Sequence, residues 1–386
     1  MTERFDRWVE RGPFTPADLG IYRIVFAVSA LLIAPNIAWL AQYPDFMYHA
    51  PPGPLRLLSG FPSLPVLIVL EVLRSTALVL LGLGLWTRYV SIAAAIMLAI
   101  TYGLTYCLGK VDHSILLVLA PLVLAFANWG DRFSIDALRD RSGLPQQPQR
   151  QWPLRLLALL IGWGFFIAAL TKLITGWLSF SSQSARGYFV LGFLTEGRTY
   201  WLADWVAAHD VRAVWELVDW LTVAFEFAIL LTFPWWRSFR IALAVAATFH
   251  LGVLLVMDID FSHTVVPYGA FVSWGVIARR MGDFKVGQFI TSFFRKRRAL
   301  FAGGYVLPGL LAVAVGGAAW MFMVNAAGKT AKGPFFSDLI VFVAAVVGLW
   351  YLALQARAIL RASGQSSDAS ESPESAEPEL QPRGRA

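Results

Sequence analysis

Residues 154–175 read LRLLALLIGWGFFIAALTKLIT. A helix that crosses a bilayer needs about 20 mostly apolar residues, and this stretch meets that length with only two basic residues, Arg155 near its start and Lys172 near its end. Lys172 falls inside the run FFIAALTKLITGW (residues 165–177). An ammonium in hydrocarbon costs several kcal/mol unless it snorkels to the headgroups, finds a partner or gives up its proton, so such a residue is a functional-site candidate by default. A buried lysine can also serve as a neutral amine base. The plain alternative is an interfacial lysine reaching for lipid headgroups.

The same reading extends along the chain. Hydrophobic residues make up 57% and charged residues 15%, and the mean hydropathy is +0.60, outside the range of soluble globular domains. Candidate spans fall at 19–40, 64–86, 89–108, 114–128, 154–175, 214–233, 239–257, 263–278, 299–324 and 335–356. The fourth and eighth are short enough to be tilted or partly re-entrant, and residues 201–209 look too short and polar to cross. The fold class is therefore all-α, a polytopic membrane helix bundle of about 8–10 transmembrane helices. Sixteen tryptophans and 28 phenylalanines suit a chain with many membrane–water boundaries.

Orientation follows from the basic residues. With a cytoplasmic N-terminus, the segments on that side hold 22 lysines and arginines and the opposite side 7, a bias that places both termini in the cytoplasm. The net charge of +7 then reflects loops lying against anionic lipid, not a nucleic-acid partner. A single cysteine, Cys107, allows no internal disulfide and no CxxC pair. The first apolar run starts only at Leu19, so nothing at the N-terminus reads as a cleavable signal. Three regions result: a transmembrane domain over 1–283, a basic cytoplasmic segment with an appended two-helix hairpin over 284–361, and a disordered cytoplasmic tail, rich in Ser, Glu and Pro, over 362–386.

In this topology the polar residues gather at the external side. Lys110, Asp112 and His113 occupy one external turn, Lys172 the outer end of the fifth span, and Glu226 the middle of the sixth. His250 lies in the outer half of the seventh, followed by Asp258, Asp260 and His263 in the next external turn. Polar groups of several helices that satisfy one another around a cavity are how sites inside membranes are built. Each has a plainer reading. Asp112-His113-Ser114 can cap the fourth helix, and His250 in AATFHLGVLL can bond a carbonyl in the core. Asp258, Asp260 and His263 make an ordinary polar loop more readily than a metal site, so no metal is assigned. Glu71 and Arg74, three residues apart, can neutralise each other on one helix face, and Arg23 suits a structural partner at the inner side of the first span.

Three of these stretches resemble one family. The run GKVDHSILLVLAPLVLAFANWGDRFSIDAL (residues 109–138) resembles the pattern around the histidine of vitamin K-dependent gamma-carboxylases, with its Ser-x-Asp ending at Ser134 and Asp136. The run FFIAALTKLITGW resembles the segment that holds the carboxylase base, with Lys172, Leu173 and Trp177 in matching places. Residues 248–274 supply the third, with His250 ahead of an apolar helix bearing Phe and Pro. Together they are similar to the HTTM (horizontally transferred transmembrane) domain, over about residues 18–283.

The resemblance implies a chemistry in which a lysine deprotonates a reduced isoprenoid quinone of the menaquinone or vitamin K type, which with oxygen yields a strong base and leaves as an epoxide. Carried over, Lys172 is the base and His113 positions or stabilises the developing anion. His250, Phe166 and Trp177 are cofactor-binding candidates; Phe165, Phe166 and Trp177 are rings that can stack on a quinone, and an aromatic belt is the other explanation of the three. The departures are specific. The large extracytoplasmic domain of the carboxylases is absent, Thr171 stands where they carry a second lysine, and Cys107 alone cannot form the disulfide of the animal members. The expectation is a multi-pass protein of a bacterial plasma (inner) membrane that acts on quinone at the external leaflet, with lipid and an extracytoplasmic peptide or protein as partners. The competing expectation is a non-enzymatic membrane component that matures or handles a secreted peptide. A transporter finds less support, because no inverted repeat is visible.

Overall fold

A computed structural model describes residues 2–140, 149–282, 316 and 335–370. Among these residues there are fourteen α-helices and no strand. The first six are α1 (Thr2–Glu10), α2 (Pro16–Ile33), α3 (Leu64–Leu83), α4 (Thr87–Tyr106), α5 (Ile115–Leu124) and α6 (Ile135–Arg139). Then come α7 (Trp152–Ile174), α8 (Ser184–Thr195), α9 (Ala203–Ala208), α10 (Arg212–Thr232) and α11 (Trp236–Met257), followed by α12 (Ser262–Tyr268), α13 (Trp274–Gly282) and α14 (Phe335–Ser370).

Among the described residues, six helical segments are long and apolar enough to cross a bilayer: Pro16–Gln42, Leu64–Leu83, Thr87–Tyr106, Trp152–Ile174, Trp236–Met257 and Phe336–Arg361. The span expected at 214–233 forms α10, which has the length but carries Glu216, Asp219 and Glu226. The spans expected at 114–128 and 263–278 shrink to α5 and α12, each with a proline inside it, Pro121 and Pro267. A proline removes a backbone donor and crowds the preceding turn, so these helices stay short. The expected span at 299–324 lies outside the described residues. Helix α14 runs on to Ser370, into the segment that composition assigns to the polar tail. It packs along α11 at close range: a Cβ on Gly348 would come within 2.8 Å of the Ala244 carbonyl oxygen, and Val341 and Ala345 are fully buried.

The bundle has two ends. The proximal end carries α1 and the chain near 11–15, 149–152, 233–236 and 271–275, tied by Trp8 Nε1 to the Pro234 carbonyl and Trp236 Nε1 to the Arg11 carbonyl. The distal end carries the loops after α2, α4, α7 and α11.

Charged residues inside the proximal half cap and clamp. Thr15 and Asp18 form a reciprocal cap on α2, and Asp18 Oδ1 also accepts the Gly275 N–H of α13 at 2.7 Å. Asp136 accepts from Trp86 N and from Thr87 N and Oγ1 at the start of α4. Arg23, fully buried, donates to the carbonyls of Gly82, Trp129, Arg132 and Phe133, and so holds the chain after α5 against the end of α3. Gly84 is what lets this clamp close. It sits at φ +67, and a Cβ there would come within 2.8 Å of Arg23 Cζ. Gly84→Ala should therefore cost about 1–2 kcal/mol from the left-handed backbone alone, and more from displacing the guanidinium, read as a lower thermal midpoint of the solubilised protein.

The helices on either side of α7 repeat a pattern in the same direction along the chain. Helices α3, α4 and α5 are a long, a long and a proline-bearing short helix, and so are α10, α11 and α12. Asp112 Oδ1 accepts from Ser114 N and Oγ before α5, and Asp260 accepts from Ser262 N and Oγ before α12. At the same interval, Glu71 of α3 accepts the Ile37 N–H at the start of the distal segment after α2. Asp219 of α10 likewise accepts the Ser184 and Ala185 N–H groups that open α8. The site described next lies where the second unit meets α7.

Candidate functional site

Lys172 does not reach for the membrane surface. Its Nζ lies 2.7 Å from both carboxylate oxygens of Glu226, with 19% of the lysine side chain and 8% of the glutamate side chain exposed. The direction follows from helix geometry. Helix α7 runs toward the distal end, and side chains on a helix lean back toward its N-terminus, so Lys172 points down into the bundle. Glu226 lies fourteen residues along α10, roughly 21 Å from its distal start at about 1.5 Å per residue. The ammonium is thus held below the end of its own helix, where snorkelling would have carried it outward. Trp177, in the turn after α7, places its ring 5.2 Å from the same ammonium.

A layer of rings joins this pair to two histidines. His250 of α11 is 2% exposed. Its ring stacks on Phe261 at 4.4 Å and faces Phe165 at 6.0 Å, while Nε2 lies 3.1 Å from the Tyr268 hydroxyl. His250 Nδ1 is buried and has no hydrogen-bond partner. Phe261 is covered on another side by His113, at 4.6 Å. Lys172 and His113 are both within electrostatic reach of His250. The order is therefore Lys172–Glu226, His250 with Tyr268, Phe261, His113, drawn from α7, α10, α11, α12 and the turn before α5. Above it, α8, α9 and the first turns of α10 form a small distal cap around buried Ala185, Phe189, Ala203 and Trp215.

The structure sorts the remaining candidates. Phe166 turns away from the histidines and packs on Trp163 and Phe227, while its neighbour Phe165 is the ring beside His250. Adjacent residues on a helix point about 100° apart, and hydropathy does not fix that rotation. Asp112 accepts from Ser114 N and Oγ in the turn before α5, no side chain caps that helix, and the His113 imidazole lies on Phe261. Asp260 uses both oxygens on Ser262, and His263 Nε2 is 3.2 Å from the Ile33 carbonyl. No group of three metal-ligating side chains is present among the described residues. Glu71 accepts the Ile37 N–H, and it and Arg74 lie within electrostatic reach of each other. Sequence reasoning located Glu226 but not its bond to Lys172, named Phe165 together with Phe166 without telling their directions apart, and missed Phe261 and Tyr268. The signal for Glu226 was a carboxylate facing apolar surroundings in mid-helix, and such a group in a membrane needs a cation.

His113 lies in the distal turn, outside the spans. Burial pushes its imidazole below the usual histidine value, with His263 acting in the same direction and Asp112 and Asp260 opposing. The sign follows from proton uptake: below about pH 6.5 the unfolded chain binds a proton that folded His113 resists, so stability falls as pH falls. Solubilised wild-type protein should lose thermal stability between about pH 7 and pH 5, and His113→Phe should flatten that slope.

An all-helical integral membrane protein with a lysine–carboxylate pair and a histidine inside the bundle, and a second histidine at its distal edge, is the class that fold and geometry define. A family model for the HTTM domain matches residues 12–274, well over half of the chain, and the chain belongs to that family. The similarity to the membrane region of gamma-carboxylases is consistent with it. No curated protein and no solved structure matches.

Proposed function

We propose that this HTTM protein is a membrane enzyme that uses a reduced isoprenoid quinone, in the manner of the gamma-carboxylases, with Lys172 as the base. The observation that carries the reading is the Lys172–Glu226 pair, held inside the bundle beside a buried imidazole with an open nitrogen. In a medium of low dielectric a charged pair and its neutral amine–acid form are close in free energy, because desolvation offsets the ionic attraction. Glu226 can therefore take up the lysine proton and leave a neutral amine; when Lys172 then accepts a proton from a bound hydroxyl, the new oxyanion is the counter-charge of the ammonium, and Glu226 stays protonated until it releases its proton. His250 Nδ1 is placed to orient that hydroxyl, and Phe165, Phe261 and Tyr268 supply aromatic walls that suit a quinone ring. When bound, the reduced quinone would supply the acidic hydroxyl and the reducing equivalents. His113, packed on Phe261, keeps that wall in place. On this reading the site faces the external leaflet of a bacterial plasma membrane, an orientation that the charge bias along the sequence supports.

Photolabelling tests the site directly. In liposomes, a photoreactive menaquinone analogue should mark peptides of α7, α11 and α12, and excess menaquinone should suppress the mark. His250→Phe, which keeps a ring and removes both nitrogens, should weaken labelling. Labelling that is equal in the variant, or absent from these three helices, would favour the non-enzymatic reading.

A further inference from the structure

The two repeated units are finished differently at their distal ends. They correspond at one interval along the chain: Glu71 to Asp219, Tyr102 to His250, and the Asp112–Ser114 turn to the Asp260–Ser262 turn. At that interval Leu67 and Leu70 of α3 match Trp215 and Val218 of α10, and Leu108 after α4 matches Val256 of α11. In the second unit α8 and α9 cover these positions. Phe189 of α8 lies 5.3 Å from the Trp215 ring, Ala203 of α9 is buried, and Val218 and Val256 pack against them.

In the first unit no α-helix takes that place. The segment between α2 and α3 carries three short 3-10 turns, Ala38–Gln42, Asp45–Met47 and Pro54–Leu57, and it leaves a crevice of about 450 Å³. The walls are Val66 and Leu70 of α3, Ile100 and Leu104 of α4, and Leu55 and Phe61 of the segment. Leu55 seats against Gly103, where a Cβ would collide with it. Leu70 and Ile100 each lie six residues from the distal ends of their helices, about 9 Å at 1.5 Å per residue. The crevice therefore reaches below the membrane surface, and Val66 in its wall is 48% exposed, so it opens sideways to lipid.

These features limit the occupant. Apolar walls at that depth are met by molecules of the bilayer. The volume is that of a small-ligand cleft, too little for another helix about 10 Å across, and it suits a single hydrocarbon chain. The mouth adds a charge. Asp45 is the charged residue of the lining, and its carboxylate lies over Gly60, where a Cβ would collide with it. Among the described residues no ion pair or hydrogen bond engages that carboxylate. Beside it Phe61 meets the rings of Tyr48 at 5.1 Å and Tyr43 at 6.3 Å. A carboxylate next to aromatic rings attracts an ammonium and disfavours a net-negative headgroup.

We propose that this crevice is a lipid site. One acyl chain of a distal-leaflet phospholipid fills it, and the headgroup ammonium, as in phosphatidylethanolamine, meets Asp45 and the ring cluster. The first unit thus completes its distal end with lipid where the second uses α8 and α9. The site is carried by α3 and α4 and does not rest on the quinone reading.

Photolabelling of the full chain in phosphatidylglycerol vesicles provides the test. Two trace probes carry the same diazirine-bearing acyl chain, one on phosphatidylethanolamine and one on phosphatidylglycerol, and labelled peptides are read by mass spectrometry. The ethanolamine probe should mark residues 55–70 and 100–104, and unlabelled phosphatidylethanolamine should suppress the mark saturably. The glycerol probe should mark them roughly fivefold less, the upper end for an exposed ion pair. Asp45→Asn, at an exposed position, should bring that ratio below about twofold. Leu70→Trp fills the crevice and should reduce labelling by both probes; if that variant does not fold, Asp45→Asn still decides. Equal labelling by the two probes in wild type would overturn the proposal, and so would a ratio unchanged in Asp45→Asn. Suppression by menaquinone but not by phosphatidylethanolamine would give the crevice to an isoprenoid chain and overturn it as well.

Discussion

Glu226→Leu should destabilise the solubilised protein by about 3–5 kcal/mol, because removing one partner leaves the other charge uncompensated inside the bundle. The pair is bidentate at 2.7 Å and both side chains are mostly buried, so solvent screening does little to soften the loss. Lys172→Met should cost less, since a stranded carboxylate can take up a proton. Replacing both residues, Lys172→Met with Glu226→Leu, exchanges the pair for apolar side chains of similar size. Such exchanges are neutral or stabilising by up to about 4 kcal/mol. Chemical unfolding in detergent should therefore rank Glu226→Leu lowest, with the double variant near or above wild type. A single variant as stable as wild type would mean that the pair is not held within the bundle.

Arg23→Met should be more severe. Hydrogen bonds to charged groups contribute about 1.5–3 kcal/mol each, and this guanidinium serves four carbonyls, three of them in the chain that follows α5. Losses of about 5 kcal/mol or more exceed the margin of many domains. The expected outcome is a chain recovered aggregated, with protease cleavage opening near residues 129–139. Arg23→Lys should not rescue it, because one ammonium cannot span carbonyls that a planar fork reaches from two sides.

Much of the architecture is legible in the sequence because bilayer thickness fixes helix length and hydrocarbon excludes unpaired polar backbone. Pro121 and Pro267 explain, within otherwise apolar runs, why two of the expected spans are half-length. Side-chain direction is less legible. Phe165 and Phe166 are indistinguishable by hydropathy, yet one faces His250 and the other faces Trp163. Lys172 sits near the end of an apolar run, where snorkelling is the simple expectation, and only the position of α10 shows that it turns inward to Glu226. The same-direction repeat is hidden because its matching places hold different residues: Glu71 and Asp219 do one job with different side chains, and Tyr102 stands where His250 does. The Asp-x-Ser turns before α5 and α12 keep their letters. Arg23 reads as a lone basic residue in a span, and its acceptors are backbone carbonyls, which no sequence pattern displays.

Whether the Lys172–Glu226 pair moves a proton for a reduced quinone can be tested in a folded protein with the double variant. Wild type and Lys172→Met/Glu226→Leu are reconstituted with reduced menaquinone or vitamin K, oxygen, bicarbonate and a glutamate peptide, and quinone epoxide is followed by mass spectrometry. Epoxide from the wild type and none from the equally folded double variant is the predicted result. Epoxide at the same rate from both, or a wild type that neither binds nor turns over quinone, would contradict it.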